Sequence, residues 1–272
     1  MTSAATQRVL RRLRELALEH AGMSLDQFAD DALRHKIAAE VKRAGGLERY
    51  AALLEVDTSA VQRFIEQLCT HETRFFRHPV QFEYIRSDYL PRLRKKLERT
   101  PRPVHVWSAA CSTGEEPASL AVTLAYEFKS EIAFRVFASD ISRQAIERAR
   151  ALRWPLSAAE HIAPELLSKY FLRGIGSESG FMRLVPELAA AVDFELVNLV
   201  HSPLPVGRFD LILCRNVLIY FPTSVRKHVA RRLLAALTPD GLLFTGPSEG
   251  LTQNVSEAEM IAPHIYRRRP TA

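Results

Sequence analysis

The chain has 272 residues, 47% hydrophobic and 25% charged, with a formal net charge of +6. That length allows one or two domains with real cores, and the composition excludes a disordered chain. No apolar run approaches the ~20 residues of a membrane helix, and the positive balance favours acidic partners: nucleic acid, an anionic membrane or an acidic protein surface.

The first twenty residues, MTSAATQRVLRRLRELALEH, are amphipathic without a compact apolar core, so a secretory signal is not expected. Glu15 and Glu19 argue equally against a transit peptide. Leu10, Leu13, Ala17 and His20 share one helical face, as do Val61, Phe64, Ile65 and Leu68, and Ala44-Gly45-Gly46 interrupts the helical pattern between them. Phe82, Ile85, Tyr89, Leu93 and Leu97 mark another helix, with Arg92, Arg94, Lys95 and Lys96 near its end.

Past Pro101 the character changes. Short apolar strands are expected at Val104–Ala109, Ala133–Ser139, Phe194–Val197, Leu211–Cys214 and Leu242–Phe244. Helices are expected from Pro117 to about Phe128, from near Ser142, and after Pro222. The last would bury Val225, Val229, Leu233 and Leu237 and expose Arg226, Arg231 and Arg232. Apolar strands alternating with amphipathic helices indicate an α/β, doubly wound and mostly parallel sheet. The glycine-rich GIGSESG at 174–180, followed by Phe181-Met-Arg-Leu-Val, reads as a small β insert or as a plain surface loop.

Four segments carry candidate chemistry. In VHVWSAACSTGEEP (104–117) a strand runs through a tight turn into a helix start, where free backbone N–H groups meet ligands in open α/β sheets. Thr113 and Glu116 fit a capping box, which leaves Glu115 free for the ammonium of an amino-acid-like cofactor. A simple capped helix start explains the same residues. In FRVFASDIS (134–142) Asp140 stands at a strand tip, where a carboxylate either binds ribose hydroxyls or caps the next helix. The turn after the first strand has Gly114 alone and no G-x-G-x-x-G, which disfavours a dinucleotide and favours S-adenosylmethionine. In FDLILCRNVLIYF (209–221) Asn216 is placed to bond a cofactor and Tyr220 to face an acceptor, although a capping Asn and a core Tyr fit equally. In THETRFFRHP (70–79) Thr73 and Arg77 share a face if the segment is helical, and Arg77 then suits an acidic substrate or is merely solvated. Cys69, His71 and His78 match no common zinc spacing, and Cys69, Cys111 and Cys214 form no disulfide framework, so no metal and reduced thiols are expected.

Together ETRFFRHPVQFE, CSTGEEP, ASDIS, YFLRG, VDFELVNL, FDLILCRNVLIYF and LTPDGLLFTGPSE, in this order, resemble the CheR family of chemotaxis protein-glutamate methyltransferases. The resemblance runs from about Thr70 to Gly250. It implies a small all-helical domain over 1–69, then a Rossmann-like S-adenosylmethionine methyltransferase domain over 70–272 with a β-subdomain insert at about 168–192. It also implies that His71, Thr73, Arg77, Glu115, Asp140, Asn198, Leu199, Arg215 and Asn216 bind the cofactor, and that Arg77 and Tyr220 lie near the transferred methyl. His71 stands where the family usually has Asn, and Ala110 where Gly is common. The implied products are glutamate methyl esters and S-adenosyl-L-homocysteine. The implied partner is the cytoplasmic signalling domain of chemoreceptors, with a receptor C-terminal peptide added as a strand to the β-subdomain. Arg34, Lys36, Lys42 and Arg43 are candidate docking residues for that acidic partner. A cytoplasmic monomer recruited to receptor clusters is expected, with no membrane insertion and no nucleic acid. The basic pI leaves an RNA methyltransferase as a rival, against which stands the lack of an aromatic-and-basic stacking platform. A non-catalytic module that binds the cofactor and signals by contact is the second rival.

Overall fold

In a computed structural model, which describes residues 4–204, 209–251 and 255–269, the N-terminal apolar stripes form helices α1 (Ala4–Ala21), α2 (Asp30–Ala44), α3 (Leu47–Leu54) and α4 (Thr58–Leu68). Gly45 ends α2 in the left-handed conformation, and its N–H bonds to Lys42 O. Asp57 caps α4 by accepting from Ser59 N–H at 2.8 Å.

After an irregular strap, α5 (Pro79–Tyr84) and α6 (Leu90–Arg99) run on through one wide turn at Ile85–Tyr89, where Leu90 N–H bonds to Ile85 O five residues back. Pro91 has no N–H to return to the preceding turn, and the wide turn absorbs the gap. The predicted apolar face from Phe82 to Leu97 is buried along its length.

The alternating region then delivers β1 (Val104–Ala109), α7 (Glu115–Phe128), β2 (Phe134–Asp140), α8 (Arg143–Arg150), β3 (Arg153–Pro155), α9 (Pro164–Tyr170), β4 (Phe171–Arg173), β5 (Phe181–Leu184), α10 (Pro186–Ala189), β6 (Val192–Leu196), β7 (Phe209–Cys214), α11 (Thr223–Ala236), β8 (Leu237–Thr245), β9 (Ala258–Ala262) and β10 (Ile265–Arg268). The main sheet has the order β6-β2-β1-β7-β8-β10-β9. Its first five strands are parallel, and β10 and β9 close one edge antiparallel. Strand alternation divides the core in two. Ile212 and Cys214 of β7 face one cluster, and Leu211 and Leu213 face the other. The first cluster also takes in Leu13, Ile37, Phe64 and Leu68, so the N-terminal helices and α11 cover the same face of the sheet.

Three features differ from the sequence expectations. The C-terminal hairpin β9–β10 is additional to the strands expected. Leu237 opens β8 instead of closing α11. The glycine-rich region does form a β-subdomain, an antiparallel sheet in the order β3-β5-β4, but it recruits Arg153–Pro155 from well before residue 168. A Cβ at Gly174 would stand 2.0 Å from Glu178 O, so its turn admits only glycine.

Candidate active site

The strand order reverses around β1, which has β2 on one side and β7 on the other, and a crevice opens beyond their carboxyl ends. The turn after β1 forms its floor. Ala110 and Cys111 N–H groups both donate to Ser139 O at 2.8 Å, which ties the turn to β2. Ala110 and Ser112 lie at positive φ (74° and 50°), as does Gly114, whose absent Cβ leaves room for Ala149 of α8.

The expected capping box does not form here. Left-handed Gly114 takes the cap position, and Thr113 Oγ1 donates to Glu115 Oε2 at 2.7 Å. Glu116 is drawn instead to the buried guanidinium of Arg215 (Nε to Oε2, 2.7 Å) and accepts from Ser108 Oγ at 2.6 Å. A buried guanidinium needs a counter-charge more than a helix start needs a second cap. Burial pushes the Glu115 carboxyl above its ordinary range, and the Thr113 bond opposes the shift.

At the tip of β2 the Asp140 carboxylate accepts from Ser112 N–H and Ser142 N–H, each at 2.9 Å, and is buried. Burial raises its pKa, against the pull of those two amides. Ser142 Oγ caps α8 by accepting from Ala145 N–H. Asp140 therefore fixes both turns that flank it, whatever else it binds. From α4, Gln62 Nε2 donates to Ile141 O and Glu66 Oε1 accepts from Arg143 N–H, each at 2.9 Å, so the N-terminal helices brace the same turn.

Beyond β6, Asn198 Nδ2 donates to His20 O at 2.7 Å, and its Oδ1 accepts from Val200 N–H. Arg232 and Arg226, expected as solvated charges on α11, turn inward. Arg232 donates to the Leu199 and Val200 carbonyls and Arg226 to Leu218 O, because these loops carry carbonyls with no strand partner.

Beyond β7, Arg215 is 1% exposed at its side chain, lies over the Phe82 ring and donates to Gln81 Oε1 and Arg77 O. Asn216 is left-handed at φ 61°, and its Oδ1 lies 3.2 Å from His78 Nε2. An amide oxygen only accepts, so that His78 nitrogen carries the proton. Burial lowers the His78 pKa, partly opposed by this bond.

Residues 69–78 form the strap over the crevice. The strap is irregular, so Thr73 and Arg77 do not share a helical face. Phe75 explains why: it is buried edge-on against Trp154 and Phe171, with ring centroids 4.9 and 5.5 Å away, and Phe76 N–H donates to Ser119 Oγ. These anchors, with positive φ at Phe76 and His78, prevent helical winding.

The resulting cavity measures about 910 Å³, open solvent at its mouth included. His71, Thr73, Arg77, Asp140, Asn198, Leu199, Arg215, Asn216 and Tyr220 all line it. Glu115 does not: it faces Thr113, and Glu116 takes the place in the lining. Sequence reasoning missed Glu116, which it assigned to a cap, and Met23 from the N-terminal region, which no motif marks. It also missed Gln81, whose Nε2 donates to Thr245 O at 2.8 Å and which was visible only as a polar residue within a helical face. Among the described residues no group of His, Cys, Asp or Glu is arranged to hold a metal.

S-adenosylmethionine joins apolar and polar ends, and the cavity matches both. Met23, Ile141, Leu199 and Phe221 supply apolar wall, Asp140 and Arg77 supply charge, and Ser112 Oγ is buried with no hydrogen-bond partner among the described residues. This fold and site define an S-adenosylmethionine-dependent methyltransferase. Residues 71–266 match the family model described as CheR methyltransferase, SAM binding domain. The chain is 38% identical over 263 residues to the chemotaxis protein methyltransferase of Salmonella typhimurium, covering 94% of this chain and 88% of that one. It is 37% identical over 248 residues to the Escherichia coli protein of the same name, with 89% and 84% covered. Against chemotaxis protein methyltransferase 2 of Pseudomonas aeruginosa it is 32% identical over 265 residues, with 96% and 93% covered. The chain belongs to the CheR methyltransferase family, and its activity is S-adenosylmethionine-dependent protein-glutamate methylation in chemotaxis.

Proposed function

We propose that the cavity holds S-adenosylmethionine against Asp140, Asn198, Leu199, Arg215 and Asn216, and that Arg77 and Tyr220 orient glutamate side chains of a chemoreceptor's cytoplasmic signalling region. The observation that carries this reading is the convergence of Asp140, Arg77 and Tyr220 on one cavity from three separate parts of the chain. When bound, the cofactor supplies a methyl group already activated on a sulfonium. A glutamate carboxylate, which ordinarily titrates near pH ~4.3, is ionised at neutral pH and needs no general base. The protein's task is therefore to align the acceptor and exclude water. Arg77 offers a guanidinium to the acceptor carboxylate, and its NH1 donation to Glu72 O at 2.8 Å holds the side chain in place. Tyr220 sits on the short helical turn Leu218–Tyr220, whose last carbonyl accepts from Ser24 N–H, so its backbone is tied to the N-terminal region. His71, Thr73 and Glu115 complete the assignment.

Two surfaces suit the receptor. On α2 a groove lined by Arg34, His35 and Lys42, with Asp31 beside Arg34, offers a net positive charge to an acidic helical bundle. Lys36 and Arg43 lie outside that lining: Lys36 Nζ donates to Leu68 O, and Arg43 is paired with Glu40. In the β-subdomain β4 pairs, among the described residues, only with β5, and Leu172 and Ile175 beside its open edge are 48% and 86% exposed. A receptor C-terminal peptide adds there as a strand. No described helix is long and apolar enough to cross a membrane. The working location is the cytoplasm beside receptor clusters, with the enzyme acting as a monomer.

The test is transfer of labelled methyl from S-adenosylmethionine to receptor signalling fragments, with and without the C-terminal peptide, followed by mild base. Volatile label establishes methyl esters, label in RNA supports the rival, and unchanged transfer without the peptide removes the strand-addition role. Tyr220→Phe should lower kcat about tenfold to a hundredfold while cofactor affinity is kept. Loss of a basic limb in its pH–rate profile would mean that Tyr220 transfers a proton.

A further inference from the structure

The wall that carries Asn216 and Tyr220 is held by a carboxylate that the cofactor and acceptor assignments leave unused. Glu249 is 0% exposed, and among the described residues no Lys or Arg stands within ion-pair distance of it. Backbone amides meet its charge instead. Oε2 accepts from Asn216 N–H at 2.7 Å and Gly246 N–H at 2.6 Å, and Oε1 accepts from Ile219 N–H at 3.2 Å. The carboxylate thus grips both ends of the segment between Arg215 and Tyr220. Its own backbone is fixed as well: Glu249 N–H bonds to Gly246 O, and Glu249 O accepts from Thr245 Oγ1 at 2.8 Å. The close approach depends on glycine, since a Cβ at Gly246 would stand 2.5 Å from Oε2.

This grip works against a local cost. Asn216 at φ 61° occupies a conformation unfavourable for a residue with a Cβ. A charged acceptor on its N–H makes a bond stronger than a neutral one and holds it there. From that position Asn216 Oδ1 meets His78 and Tyr220 reaches the cavity. We propose that Glu249 is a positioning residue for methyl transfer, its buried carboxylate presetting the Asn216–Tyr220 wall before cofactor and acceptor arrive. The inference rests on the roles given above to Asn216 and Tyr220.

Glu249→Gln tests it at constant size. A glutamine keeps one accepting oxygen and turns an NH2 group toward a backbone N–H, so at least one amide loses its partner. In the full-length chain, S-adenosylhomocysteine affinity is measured by calorimetry and methyl transfer to receptor fragments by steady-state kinetics. The set is wild type, E249Q, Asn216→Ala and the double variant, with folding checked by circular dichroism. E249Q should lose about tenfold to a hundredfold in kcat/KM. The double variant should be little worse than the worse single one, because both act through one wall. Additive losses, or a wild-type E249Q beside an impaired Asn216→Ala, would overturn the proposal and leave the site reading intact. A wild-type Asn216→Ala would overturn the reading of Asn216 and the proposal with it. If E249Q is recovered only unfolded, Gly246→Ala displaces the same carboxylate without removing its charge. It should lower kcat/KM several-fold, and wild-type kinetics there would equally sink the idea.

Discussion

At the residue scale the site is governed by buried carboxylates, and each is placed by what it accepts. Asp140 carries a pH consequence for cofactor binding. Burial raises its pKa, so the free protein protonates it above the ordinary carboxylate range. Under the proposed assignment, hydroxyls of a bound ribose would donate to the ionised form and favour it. Cofactor affinity should therefore be complete well above that raised pKa and fall as the pH drops through it. Calorimetric S-adenosylhomocysteine titrations from neutral pH downward should show the decline in the wild type, while Asp140→Asn binds more weakly at neutral pH and loses the dependence. Ala110 gives a stability prediction. It stands at φ 74°, where glycine is at ease and alanine is not. Ala110→Gly should raise the unfolding free energy by up to about 1 kcal/mol, the relief of strain being partly offset by a freer unfolded chain. Urea denaturation of the free protein reads the change, and a destabilised variant would mean that the methyl group makes a packing contact worth more than the strain. The positions of Asp140, Arg215 and Asn216 were legible because each follows directly on an apolar strand. The choice between Glu115 and Glu116 was not, because adjacent residues differ by about a hundred degrees around a helix start and only a partner decides which turns inward. That partner, Arg215, lies 99 residues away in the chain.

At the scale of elements, Arg215 and Glu116 join the end of β7 to the start of α7, and Arg215 also holds the strap through Arg77 O. Glu116→Gln would leave a guanidinium buried without its counter-charge. We expect a loss of about 3 kcal/mol in unfolding free energy, read from chemical denaturation, together with weaker cofactor binding. A stability within error of wild type would show that the strap carbonyl and Gln81 suffice for Arg215. The central strands and flanking helices were legible because burial on both sheet faces leaves continuous apolar runs and because helical stripes repeat over several turns. The strap was not: spacing alone made Thr73 and Arg77 neighbours on a helix, and the burial of Phe75 between Trp154 and Phe171 breaks it. Strands as short as β3 and β4 have too few residues to show any period and exist only because β5 pairs with both.

At the scale of the whole molecule, the N-terminal helices are part of the site. Leu13, Phe64 and Leu68 share a core with Trp107 and Ile212 of the sheet, Gln62 and Glu66 brace the Asp140 turn, and Ala21 and Met23 line the cavity. A fragment of residues 70–272 would expose one face of the sheet and an unsupported cavity wall. It should elute as an aggregate in size-exclusion chromatography and fail to bind S-adenosylhomocysteine. A monomeric fragment with wild-type affinity would instead make residues 1–69 an independent domain.

The amino-acid sequence by itself determined the alternation of strands and helices, the loops that carry polar residues beyond the strand ends, and the family. Those properties are local: they reside in periodicity, in turn residues and in motifs that stand in order. Tertiary structure decided which of two neighbouring glutamates faces the cavity, why the strap is not a helix, that Glu249 underlies Asn216, and that the first helices close the pocket. Each depends on a charge or an apolar surface finding its partner across a long stretch of chain, and such pairings leave no period in the sequence.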